Sequence, residues 1–224
     1  PQRDAAFGAV AVVPIAARLP GSLLERAASA PVLVPELATP VATTPYSNRF
    51  GPAKAKALEQ FGGNADTERA VANGLRYLAK LQNRDGSWGN RDAFDGKYGS
   101  IYVGKTALCV LAFLGAGHTP ISKTEHSEVV RRALALLLTL QDETTGAFGA
   151  SSCYGHGITT YALAECYGLT KDPALLRPLE EALTWILHNQ GPRRDKKNRG
   201  GWGYFSPGLQ AEDDYARVSV TSWM

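Results

Sequence analysis

The sequence predicts an all-α protein built as an α/α toroid of repeated helical hairpins. Two observations carry this. A helix ending in Gln, followed by a Gly-x-aromatic pair, occurs three times, and each copy is followed by a second, more apolar helix. An outer set of helices with one polar face around an inner set buried nearly all round is the simplest arrangement that satisfies both.

Residues 1–51 carry prolines at 14, 20, 31, 35, 40 and 45, which forbid long helices and favour extended backbone. They read as a Pro/Ala-rich linker or strap, and 52–224 as the toroid domain. A short helix over 52–61 stops at Gly62-Gly63, where the missing Cβ suits a left-handed cap. The next helix opens with Asp66 or Thr67 as N-cap. Val71, Leu75, Leu78 and Leu81 then form one apolar stripe at spacings of three and four.

That helix ends in "LAKLQNRDGSWGN". Aligning "GLRYLAKLQNRDGSWG" with "ALALLLTLQDETTGAFG" pairs Gln82 with Gln141, Gly86 with Gly146 and Trp88 with Phe148, and a third copy supplies Gln190, Gly200 and Trp202. The predicted hairpins lie near 66–117, 131–170 and 178–224. Their second helices are aligned on Thr106, Thr160 and Thr221. The chain starts at Pro1 and stops within the third of these helices, so it reads as an incomplete toroid from a longer protein. A signal or anchor preceding Pro1 is left open.

Composition narrows the function. The net charge is +3 and the one dense basic run, "PRRDKKNR" at 192–199, is interrupted by an acid. With no aromatic or helical reader beside it, this is a solvated loop and no nucleic-acid partner is expected. Cys109, Cys153 and Cys166 are too few and odd in number for a disulfide framework. No apolar run approaches a membrane span; the longest, "GAVAVVPIAA" at 8–17, is broken by Pro14.

The residues at the helix breaks resemble the QW repeat of squalene-hopene and oxidosqualene cyclases, and the hairpin pairs resemble the fold those enzymes share with protein prenyltransferase β-subunits. The run "CYGHGITTYALAECYGLTKDPAL" (153–175) looks most like bacterial proteins described as carrying prenyltransferase/squalene-oxidase repeats. In such proteins the Gln bonds the end of a neighbouring helix and the Trp packs over it. The resemblance therefore implies a structural role for Gln82, Gly86, Trp88, Gln141, Gly146, Phe148, Gln190, Gly200 and Trp202.

The catalytic pattern that the cyclase resemblance implies, D-x-D-D, is met in part. Asp213 and Asp214 match its last two acids, but Ala211 stands in the place of the first. These two are the catalytic candidates, alongside a solvated acidic loop as the plainer reading. Prenyltransferases hold zinc with Asp, Cys and His. Cys153 and His156 form a C-x-x-H that Glu165 or Asp142 could complete with oxygen, but no D-x-C precedes a distant His, and no cofactor is expected. Aligning the repeats also sets Tyr102, His156 and Arg217 at the starts of inner helices, with Tyr154 and Tyr215 two residues earlier. These residues either cap the helices and line a packed funnel or form a ligand-contacting ring at one mouth, where helix dipoles favour an anion and Gly155 and Gly157 let backbone approach. The expected function is a module binding a hydrophobic, isoprenoid-like small molecule or a protein partner, packed against the rest of its own chain. The alternative is a terpenoid cyclase or prenyltransferase with catalytic residues partly outside this stretch.

Overall fold

The computed structural model describes residues 46–89, 101–149, 153–191, 200–205 and 215–224. The described residues contain seven α-helices and no strand, so the fold is all-α. The helices are α1 (Gly51–Gln60), α2 (Ala65–Leu81), α3 (Ile101–Gly115), α4 (Ser127–Thr139), α5 (Cys153–Thr170), α6 (Leu176–His188) and α7 (Val218–Thr221). Asp213, Asp214 and the run 192–199 lie outside the described residues.

α1 ends where Gly62 takes a φ of 83°, a left-handed turn that costs glycine nothing. The cap of α2 is one turn element earlier than the sequence suggests. Asn64, rather than Asp66 or Thr67, accepts from the Asp66 and Thr67 amides, while the Thr67 hydroxyl closes a capping box on the Asn64 amide. Asp66 and Glu68 then sit in the first turn, where the helix dipole favours acids.

α3 and α5 form the central pair. Gly104 makes their close approach possible, because a Cβ there would stand 3.3 Å from the Gly155 Cα. α2 and α4 pack on α3, while α6 and α7 pack on α5. Phe113, Leu114, Val110, Ala107, Leu137, Val130, Ala133, Phe148, Ala162, Leu163 and Cys166 are buried between these layers. The amphipathic helices therefore lie outside the two apolar ones, as their patterning requires.

Residues 46–50, the end of the predicted strap, make a short 3₁₀ turn over Ser47–Arg49 that packs on the central pair. Phe50 lies against Gly117 and Tyr46 against Gly168. The Arg49 guanidinium pairs with the Glu165 carboxylate at 2.8 Å.

Candidate functional site

The break after each outer helix is a joint with one hydrogen-bond scheme. Gln82 Nε2 donates to the Gly86 carbonyl at 3.1 Å and to the Val129 carbonyl in the first turn of α4 at 2.9 Å. Gln141 Nε2 repeats both bonds, to Gly146 at 3.0 Å and to Pro178 in the first turn of α6 at 2.8 Å. Gln190 Nε2 makes the local bond, to Gly200 at 2.8 Å, and among the described residues no bond to a following helix. One amide thus closes its own loop and ties one outer helix to the next.

The glycines and aromatics complete each joint. Gly86, Gly146 and Gly200 have φ values of 93°, 75° and 70°, and Gly86 and Gly146 face the backbone of the following helix. A Cβ on Gly86 would meet the Arg132 carbonyl at 2.5 Å, and one on Gly146 the Glu181 carbonyl at 2.7 Å. The Trp88 indole donates to the Leu78 carbonyl at 2.8 Å and the Trp202 indole to the Ile186 carbonyl at 3.0 Å. Phe148 fills the same place fully buried and without a donor.

The inner helices enter through the aromatic residue's own amide. Trp88 N–H donates to Thr106 Oγ1 at 3.2 Å, Trp202 N–H to Thr221 Oγ1 at 3.1 Å, and Phe148 N–H to His156 Nδ1 at 3.0 Å. The structural equivalent of Thr106 and Thr221 is therefore His156, one helical turn before the Thr160 that the sequence alignment chose. Tyr102 and Arg217 each stand one turn before the accepting Thr, whereas His156 is itself the acceptor and so is not equivalent to them. Thr160 instead donates to the His156 carbonyl at 2.9 Å.

His156 is fully buried. With Nδ1 accepting from Phe148, its Nε2 carries the proton and donates to the Ala182 carbonyl in α6 at 3.0 Å. Its ring also stacks on Trp185, with centroids 4.2 Å apart. Burial pulls its pKa down to about 4, since the charged form is poorly solvated there. Both ring nitrogens are thus engaged by the chain's own backbone. The flanking glycines also serve helix packing: Gly155 meets Gly104, and a Cβ on Gly157 would stand 2.9 Å from the Trp223 carbonyl.

The same geometry leaves neither ring nitrogen of His156 open to a metal beside Cys153. Glu165 is committed to Arg49. Asp142 is held below the usual carboxylate range by hydrogen bonds from Thr145 and Thr144. Among the described residues no three His, Cys, Asp or Glu side chains gather as metal ligands. Burial raises the Cys109 thiol to about 11 and the Cys166 thiol to about 12, so neither is a ready thiolate.

Three of the ring residues do come together, around a residue that the sequence reading missed. Tyr204 stacks on Tyr154 with centroids 5.8 Å apart, and the Arg217 guanidinium lies 4.7 Å from the Tyr204 ring and 4.2 Å from that of Tyr215. Arg217 also donates to the Tyr215 hydroxyl at 3.3 Å. Tyr102 stays half-buried at the start of α3, against the core. The signal for Tyr204 was its place two residues after Trp202.

A helix presents residues three or four apart on one face. On α5, Tyr154, Tyr161 and Glu165 therefore lie opposite the joint residues His156, Thr160 and Leu163. On α3, Lys105, Leu108 and Ala112 lie opposite Thr106, Val110 and Phe113. The second set in each helix is buried, whereas Lys105, Leu108, Ala112 and Tyr161 are exposed. Trp223 meets Tyr161 edge-on at 6.2 Å. The Tyr161 phenol is pushed up by its hydrogen bond to Glu165 and by that carboxylate's charge. Each central helix thus keeps an exposed strip: Lys105, Leu108 and Ala112 on α3, and Tyr161 on α5, where the strip runs from Tyr154, beside Tyr204, to Glu165, paired with Arg49.

No protein-family model matches the chain. Over 89 residues it is 33% identical to a squalene–hopene cyclase of Bradyrhizobium diazoefficiens, a stretch covering 40% of this chain and 12% of the cyclase. The match supports a distant relationship to that superfamily. No helix among the described residues is long and apolar enough to cross a membrane.

Proposed function

We propose that the chain is a squalene-cyclase-like repeat module, an arc of an α/α toroid, that binds a hydrophobic, isoprenoid-like ligand along the open face of α3 and α5. The joints built on Gln82, Gln141 and Gln190 serve as QW-type ties in this reading, and the site lies away from them. The observation that carries it is the exposure of large apolar side chains on helices that are otherwise mostly buried: Leu108 is 43% and Tyr161 48% exposed, with Trp223 beside Tyr161. A flexible hydrocarbon chain is the ligand such a surface stabilises, by roughly 25 cal/mol for each Å² of apolar area covered.

The test is cofractionation and tryptophan-fluorescence titration with squalene dispersed in mild detergent. Saturable binding is expected, with Leu108→Asp and Tyr161→Asp each weakening it by about tenfold or more. Absence of saturable uptake overturns the reading. The similarity to a cyclase favours a second one, in which the bound chain is also transformed. Gas chromatography with mass spectrometry of the same incubation would then reveal a cyclised isomer.

A further inference from the structure

We infer that the cleft between the second joint and α6 binds a neutral carbohydrate, at a site separate from the apolar strips of α3 and α5. The cleft has a volume of about 840 Å³, within the range of small-ligand sites. Asp142 and Thr144 of the joint loop line one side of it, and Thr184, Trp185, His188 and Asn189, from the C-terminal half of α6 and its cap, line the other. The two walls come from consecutive repeats that are tied to each other by the bond from Gln141 to Pro178.

The acceptors of this cleft are fixed by bonds made through their neighbouring atoms. Asp142 Oδ1 accepts from the Thr144 amide at 3.1 Å, the Thr145 amide at 2.7 Å and the Thr145 hydroxyl at 2.8 Å. These bonds keep the carboxyl ionised, and among the described residues Oδ2 has no hydrogen-bond donor. Asn189 Nδ2 donates to the Trp185 carbonyl at 2.8 Å, which leaves its side-chain oxygen as the end without a partner among the described residues. The Thr184 hydroxyl donates to the Glu180 carbonyl at 2.8 Å and keeps its lone pairs. The cleft therefore presents acceptors around an indole ring. A pyranose is the complement of such a surface, because its hydroxyls donate from the rim while its C–H faces lie flat on an aromatic ring. A hydrocarbon would strip water from the Asp142 carboxylate, and an anion would meet its charge.

The tie between repeats does not require these side chains. Trp185, His188 and Asn189 stand five, two and one residues before Gln190, where Leu136, Thr139 and Leu140 stand before Gln141. The first joint makes the same pair of bonds onto α4 with those three residues in place. Trp185 does stack on the buried His156, which holds the ring in position, yet it stays half-buried and lines the cleft. A ring and acceptors already held in place lose little freedom when a ligand arrives.

The test is saturation-transfer NMR and tryptophan fluorescence of the whole chain with maltotriose, cellotriose, mannotriose and triacetylchitotriose. Saturable binding of at least one is expected. Asp142→Asn keeps an oxygen for the Thr144 and Thr145 amides but removes the charged acceptor, and should weaken binding about tenfold or more. Trp185→Leu installs the residue type of the first joint and should abolish it. Circular dichroism melts report whether these variants fold. If Trp185→Leu melts early, His188→Ala, at an exposed position, replaces it and should weaken binding severalfold. Leu108→Asp, which is expected to weaken squalene uptake, should leave the sugar titration unchanged, so the two sites succeed or fail separately. Three results overturn the inference: no saturable binding of any trisaccharide, binding that Asp142→Asn and Trp185→Leu leave intact, or binding of tetramethylammonium with none of the sugars.

Discussion

His156 accepts from the Phe148 amide and donates to the Ala182 carbonyl, joining three elements: the Phe148 loop, α5 and α6. Thr106 and Thr221 do the first part of this work with a hydroxyl. An imidazole reaches further and adds the bond to Ala182. The consequence is a pH dependence that the other joints lack. The unfolded chain takes up this proton near pH 6.5, whereas burial lowers the folded value to about 4. The unfolded state therefore binds more protons between those values. Stability is full above pH 6.5, falls as the pH drops through the window, and loses on the order of 3 kcal/mol by its lower end. Urea unfolding at several pH values should show that slope, and His156→Thr should flatten it while lowering stability at neutral pH. Between two glycines in the sequence, this histidine resembles a ligand contact. Its actual partners lie 8 and 26 residues away, a closeness that only the packing of α5 on α6 creates.

At the scale of the element, the first two joints are the part that local sequence announces: Gln, Gly and aromatic fall within a few residues, and the loop they close needs those types, whereas in the third the Gln and Gly stand 10 residues apart. The inner helices were legible as helices but slipped by a turn. Thr160 matches Thr106 and Thr221 in residue type, while the position that matches them in bonding holds a histidine. The glycine of each joint permits a graded test. Gly86→Ala and Gly146→Ala combine left-handed strain with a collision against the next helix's carbonyl, and each should cost about 2–4 kcal/mol. Gly200→Ala has the strain without the collision and should cost about 1 kcal/mol. Thermal melts of the three variants should rank in that order; equal losses would mean that the helix contact contributes little.

For the described residues as a whole, the least legible feature is the tie between residues 46–50 and the central pair of helices. Arg49 and Glu165 stand 116 residues apart, and neither belongs to a motif. Tyr46 joins them, and burial together with the Glu165 charge raises its phenol pKa. Arg49→Ala would leave the Glu165 carboxylate largely buried without its partner. The expected loss is about 1–3 kcal/mol, below the range for a fully buried pair because Arg49 is partly solvated. Limited proteolysis should then cut faster around residues 46–50, and Glu165→Gln should lose less. The same Gln-to-Gly bond closes separations of 4, 5 and 10 residues in the three joints, so the bond is kept while the length of the loop varies. A short peptide inserted between Gln82 and Gly86 or between Gln141 and Gly146 should therefore leave the joint closed and the melting temperature close to that of the parent.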